Sequence, residues 1–201
     1  QNSSVEVANT AVGYQAADAL TTGKFSVFMG AHAGTAITTG NYNVAIGYGA
    51  MRTPTGLTGN VAIGWNALTS MSGSAGNKFN TAVGYGSGDS VTTADSLTLI
   101  GGAAGSAITT GNDNTAVGYL SLNQVETSGS NTAIGHMAGY HTMGNSNTYI
   151  GEGAGMSGAS ADHGSNNVAV GRGSMYYGDN INNSVAIGKN SLLHGDANTT
   201  S

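Results

Sequence analysis

The chain is predicted to be an all-β solenoid, a parallel β-roll of about eleven coils of roughly 17 residues each. Three observations predict it. One phrase, Asn–Thr/Val–Ala–Val/Ile–Gly, recurs from Asn9–Gly13 to Ser184–Gly188, and its eleven glycines are Gly13, Gly30, Gly47, Gly64, Gly84, Gly101, Gly118, Gly135, Gly151, Gly171 and Gly188. Their spacings are 17, 17, 17, 20, 17, 17, 17, 16, 20 and 17 residues. A fixed period of this length marks repeats that bury their apolar face only against neighbours. Finally, 34 glycines and no 3.6-residue apolar pattern leave no room for helices.

Each element follows from its position relative to the repeat glycine, taken as position 0. Position −1 is aliphatic or Met in every copy, and −3 is Thr or Val. Both types favour extended backbone, so −4 to −1 reads as a short strand. Side chains two apart share a strand face, so −3 and −1 are expected to enter the coil together, Ile63 among them. Position −2, Ala in eight copies but Phe28, Leu99 and Tyr149 in three, is then expected to face outward. The glycine turns the chain or admits a neighbouring backbone. A second strand is expected near +7, where Leu20, Ile37, Met71, Ile108 and Val125 fall. Thr–Thr–Gly at 21–23, 38–40 and 109–111 supplies the closing turn.

Stacked at the ~4.8 Å strand spacing, eleven coils make a rod of about 50 Å. Only about two apolar side chains and one small one would be buried per coil, at ~1.5–3 kcal/mol for a fully buried aliphatic. Support this thin argues for lateral association as a trimer or filament. Asn at −4 in eight copies either forms a ladder of stacked amides up the rod or serves the turn before the strand. The two 20-residue intervals are expected to keep strand register and to loop out three residues, projecting Met71–Ala75 and Ser157–Asp162. Residues 1–8 and 192–201 lack repeat character and read as tails around a solenoid domain at 9–191.

Composition narrows the function classes. Charged residues are 7% and the net charge is −5, with Lys24, Arg52, Lys78, Arg172 and Lys189 scattered. That pattern has no nucleic-acid footprint. With no Cys, disulfide and thiolate metal sites are excluded, and an extracellular or virion setting is the expected one. No apolar run approaches the ~18 residues that span a bilayer. With Gln1 rather than Met at its start, the chain is expected to be a processed product or an excised segment.

The copy Asn183–Ser184–Val185–Ala186–Ile187–Gly188, with Ser191 three residues on, resembles the signature of trimeric autotransporter adhesin heads. The variant Asn9–Thr10–Ala11–Val12–Gly13–Tyr14, with Ala16, is similar to repeats of bacteriophage tail fibres and secreted bacterial repeat proteins. The resemblance spans residues 9 to about 191. It implies a left-handed parallel β-roll, commonly a homotrimer, displayed on a bacterial or virion surface for attachment to a cell-surface glycan or receptor.

Candidate interaction residues lie at +1, where Tyr14, Tyr48, Trp65, Tyr85 and Tyr119 would form an aromatic stripe, with His136 next in line. Flat rings suit sugar binding at low entropic cost, and they equally suit packing against a second protomer or their own turn. Glu152, Arg172 and Lys189 hold the same position in the last three coils. No metal, cofactor or catalytic set is predicted. His32, His136, His141, His163 and His194 sit in separate repeats without a recurring third ligand. The ten acids form no implied pair, and no calcium-roll or phosphate-loop motif occurs. The expected function is a non-enzymatic attachment fibre segment. The alternatives are a self-assembling extracellular filament and, given the pairs Thr21–Thr22, Thr38–Thr39, Thr92–Thr93 and Thr109–Thr110, an ice-binding solenoid.

Overall fold

The computed structural model describes residues 8–72, 76–157, 164–176 and 181–192. Eleven three-residue strands, from Thr10–Val12 to Val185–Ile187, form one parallel sheet in sequence order. The protein is a β-solenoid with about 17 residues between successive strands. Pairing keeps repeat register, with Ala45 opposite Ala62 and Ile46 opposite Ile63. The sheet stays in register across both 20-residue intervals, since Val61 pairs with Thr81 and Thr148 with Val168.

The second strand expected near +7 does not form. The chain curls there instead, because +2 and +4 adopt left-handed backbone in coil after coil: Asn66 (φ 52°) and Leu68 (φ 50°), Leu120 (φ 57°) and Leu122 (φ 46°). Among the described residues the only other strand pair is Leu57–Thr58 with Gly76–Asn77. The +7 side chains still reach the interior, and Ile37, Met71, Ile108 and Val125 are buried.

Position 0 has φ between 118° and 138° in all eleven coils, a region closed to residues with a β-carbon. Stacking adds a second constraint. A β-carbon on Gly13 would lie 2.6 Å from the carbonyl carbon of Gly30, and each later glycine meets the next in the same way until Gly188.

The strand faces the opposite way from the sequence expectation. Position −2 points inward: Phe28, Ala45, Ala62, Ala82, Leu99, Ala116, Ala133, Tyr149 and Ala169 have no exposed surface. Positions −3 and −1 point outward, and Ile63 is only partly buried. The reason is width. The interior also receives the small +3 residue, the +4 residue and the +7 residue, so the strand has room for Ala and little more.

Volume is conserved within that space. Coils with Ala at −2 can carry a large residue at +4, as in Ala45 with Met51, Ala62 with Leu68, Ala116 with Leu122 and Ala169 with Met175. The three coils with a large −2 residue all carry Gly at +4: Phe28 with Gly34, Leu99 with Gly105 and Tyr149 with Gly155. A β-carbon on Gly105 would sit 2.7 Å from Leu99 Cδ2, and one on Gly34 or Gly155 would collide with the Phe28 or Tyr149 ring. Close packing of this kind leaves room for at most one large side chain per coil at this level, and Ala82 with Gly88 and Ala133 with Gly139 supply none.

The Asn column is a ladder, chiefly of amide to backbone, with one amide-to-amide bond from Asn60 Nδ2 to Asn43 Oδ1 (3.3 Å). Asn43 Oδ1 accepts from the Asn60 amide N–H (3.0 Å), Asn60 from Asn80 (3.1 Å), Asn114 from Asn131 (3.0 Å), Asn131 from Asn147 (2.9 Å) and Asn147 from Asn167 (2.9 Å). The Nδ2 groups donate to turn carbonyls, as from Asn43 to Leu57 and from Asn167 to Ile181. Rungs with Asn thereby satisfy a buried N–H outside the sheet ladder, and Leu97 interrupts the column. Ser26 substitutes within the column, its Oγ accepting from the Asn43 N–H at 3.0 Å.

The hydroxyls of Thr21, Thr38, Thr92 and Thr109 each donate to a carbonyl of the next coil at 3.0 Å, so the first Thr of each pair ties coils together. The intervals expected to loop out begin inside the rod: Met71 and Ser157 are buried. Residues 73–75 and 158–163 lie outside the described residues, as do residues 1–7 and 193–201 of the expected tails.

Candidate interaction surfaces

Because small side chains fill the strand's inner position, its larger ones stand outside. They form two parallel columns on one sheet face. The −1 column reads Val12, Met29, Ile46, Ile63, Val83, Ile100, Val117, Ile134, Ile150, Val170 and Ile187. The −3 column is Thr or Val throughout, with Thr at 81, 98, 115, 132 and 148 in succession. These side chains are half-buried by each other at mid-rod (Ile134 is 41% exposed) and open at the ends (Val185 and Ile187, 69%). None of the 22 is charged. The sequence reading missed this surface by assigning it to the interior.

The +1 stripe exists, and it borders that face. Tyr48 stacks on Trp65 (ring centroids 6.5 Å apart) and Trp65 on Tyr85 (4.7 Å, planes 7° apart). Tyr14 joins through His32, which meets Tyr14 and Tyr48 edge-on at 5.4 and 5.5 Å. The stripe then breaks. Gly102 takes position +1 in the sixth coil, and Tyr119 beyond it stacks on His136 at 5.8 Å. So four of the five predicted rings are brought into one column and Tyr119 begins another.

Stacking changes what the stripe offers. The faces of Trp65 are covered by Tyr48 and Tyr85, leaving ring edges to solvent, whereas a sugar stacks on an open ring face. The five side chains remain exposed, between 43% for Trp65 and 70% for Tyr14. A second aromatic border, unassigned from sequence, runs at position −5 at the strand's other end. Phe25 stacks on Tyr42 (5.4 Å, planes 9° apart), and Phe79 lies over Gly59. Its signal was legible as Phe or Tyr five residues before the repeat glycine. Both borders turn polar toward the far end, where −5 becomes Ser, Asp or Asn.

In the last four coils the +1 border becomes an open hollow of ≈550 Å³ lined by His136, Met137, Glu152, Arg172, Tyr176 and Lys189, among others. Arg172 Nε and Glu152 Oε2 pair across it at 3.3 Å, both well exposed. His136 stacks on Tyr119, whereas His141 meets Tyr140 edge-on. Among the described residues no three His, Cys, Asp or Glu side chains could share a metal ion. No protein-family model, curated protein or solved structure matches the chain.

Proposed function

We propose that the chain is a rod segment of an extracellular or virion-surface attachment fibre, non-enzymatic, in which copies associate laterally as a homotrimer. The observation that carries this reading is the outward strand face. It is an uncharged, largely aliphatic strip of 22 side chains, repeated at fixed spacing along a rod of about 50 Å. Exposed apolar patches of this extent mark association sites. The count matches the ~20–30 residues that one partner contributes to a stable interface. Each aliphatic side chain newly covered is worth up to ~1.5–3 kcal/mol. The aromatic borders at the strand's two ends extend the same surface sideways. Three copies, rather than two, is the state that the Asn183–Gly188 resemblance implies.

Sedimentation equilibrium of the full chain at micromolar concentration tests the reading. A mass three times that of the chain is expected. A monomer at all concentrations removes the proposal, and open-ended polymers transfer support to the structural-filament alternative.

A further inference from the structure

We propose that the hollow in coils eight to eleven is a binding site for a carboxylate-bearing sugar, an inference that rests on the attachment reading and names its ligand class. Glycine holds position +2 in four coils, singly at Gly49 and Gly86. Position +2 holds Gly153 and Gly173 in two successive coils, with Met137 before them and Asn190 after. Elsewhere the same position accepts Gln15, His32, Asn66, Ala103 and Leu120 at the same left-handed backbone, with φ between 51° and 59°. The backbone therefore does not require glycine in these coils. What the two glycines do is let neighbouring side chains fold over the backbone, Tyr176 over Gly153 and Asn190 over Gly173, and these wall the hollow together with Met137 and Met156. The Tyr176 ring lies over the space a Gly153 side chain would occupy.

The charges converge on this hollow. Arg172 and Lys189, two of only five basic residues in a chain of net charge −5, stand in adjacent coils at +1. Glu152 holds Arg172 through Nε, which leaves the N–H groups of both Nη atoms as donors. With Glu152 ionised, the two bases leave the hollow one net positive charge. A guanidinium fork beside an ammonium is suited to a carboxylate. Glu152 and Asn190 offer acceptors for hydroxyls, while Tyr176, Met137 and Met156 offer apolar contact. An acidic sugar ring carries all three matching features: a carboxylate, hydroxyls and an apolar face. A volume of ≈550 Å³ falls within the ~300–1,000 Å³ of small-ligand sites.

The test is calorimetric titration of the full chain with a galacturonic acid oligosaccharide, using its neutral methyl ester as the comparison. Binding of the acid is expected, at least tenfold weaker for the ester, and weaker as salt rises. Arg172→Gln with Lys189→Gln should lose tenfold or more. Gly153→Leu, whose backbone has precedent in Leu120 (φ 57°), should abolish binding by displacing the Tyr176 ring that walls the hollow. Both variants should sediment as the wild type does. Equal affinity for acid and ester, no binding of either, or variants that bind unchanged would overturn the site. Sedimentation of the same samples keeps the two readings apart. A monomer that binds the acid sugar removes the trimer and leaves the site, and a trimer that does not bind removes the site alone.

Discussion

Two sides of one three-residue strand obey opposite rules. On the inner side, Ala62 is wholly buried and its neighbours in the column are Ala, or a larger residue matched by a glycine six positions on. On the outer side, Val61 and Ile63 stand partly exposed among Thr, Val, Met and Ile that interchange freely. The inside is limited by volume, so a large −2 residue is matched by glycine at +4, and where both are small, as in Ala82 with Gly88, Leu68 and Leu99 of the adjacent coils fill the space. The outside is limited only by shape and apolarity, so any β-favouring residue serves. The difference separates what makes the rod from what it presents: the inner column specifies the fold, and the outer columns form the apolar face on which the proposed association rests.

The strongest way to break that contrast is to exchange volume on the inner side. Gly105→Leu should destabilise by about 2–5 kcal/mol, combining overpacking against Leu99 with the cost of left-handed backbone. Leu99→Ala should also destabilise, by ~2–5 kcal/mol. Joined in one chain, the two changes reproduce the arrangement of Ala62 with Leu68, and thermal melts should recover most of the loss. A double variant no more stable than the sum of its parts would refute compensation. Next in size is the ladder. Asn114→Ala removes the acceptor of the Asn131 N–H and the donor to the Gly111 and Ser128 carbonyls. At ~1–3 kcal/mol per buried group left unpaired, denaturant midpoints should fall clearly. A variant equal to the wild type would mean that water replaces the amide.

How much of this was legible in the residues follows from the same contrast. The period, the sheet, its register and the glycine column were readable, because they depend on backbone spacing that repeats eleven times. The strand's orientation was not read correctly, because apolar bulk at −3 and −1 was equated with interior. That equation holds for a thick core and fails in a coil too narrow for paired aliphatic columns. The signal lay in the coupling of Phe28 to Gly34, Leu99 to Gly105 and Tyr149 to Gly155, which only an inward −2 position explains. The stripe was read as a row, but the placing of His32 between Tyr14 and Tyr48 depends on side-chain direction that spacing does not encode. The hollow was hidden for a similar reason, since two glycines at +2 look like any other glycines until their neighbours' side chains are placed.

On the outer side the expected effects are smaller. Replacing Tyr48, Trp65 and Tyr85 together by Ser trims the border and leaves the strand face intact. Its expected result is a trimer weakened about tenfold, corresponding to ~1.4 kcal/mol, measured by sedimentation. Unchanged assembly with loss of binding to cells would assign the stripe to a ligand. The smallest effect concerns Asp89, whose carboxyl is raised above its ordinary range chiefly by burial, against hydrogen bonds from backbone N–H groups. In the interval between the unfolded and the raised folded value, the native state binds the extra proton, so stability falls as pH rises through it. Asp89→Asn should therefore be slightly more stable than the wild type at neutral pH. That advantage should vanish below the unfolded value, and an advantage independent of pH would point to a cause other than ionisation.

The most direct test places the same charge on adjacent residues that face opposite ways. Ala62→Asp and Ile63→Asp are each followed by circular dichroism and by sedimentation. An aspartate at 62 enters a closed interior with no counter-charge, and the chain should fail to fold. An aspartate at 63 lies on the outer face, and the chain should keep its β spectrum while its trimer dissociates to a folded monomer. If Ile63→Asp unfolds the chain as Ala62→Asp does, or if it stays assembled at wild-type strength, the outward face is not the surface through which these rods associate.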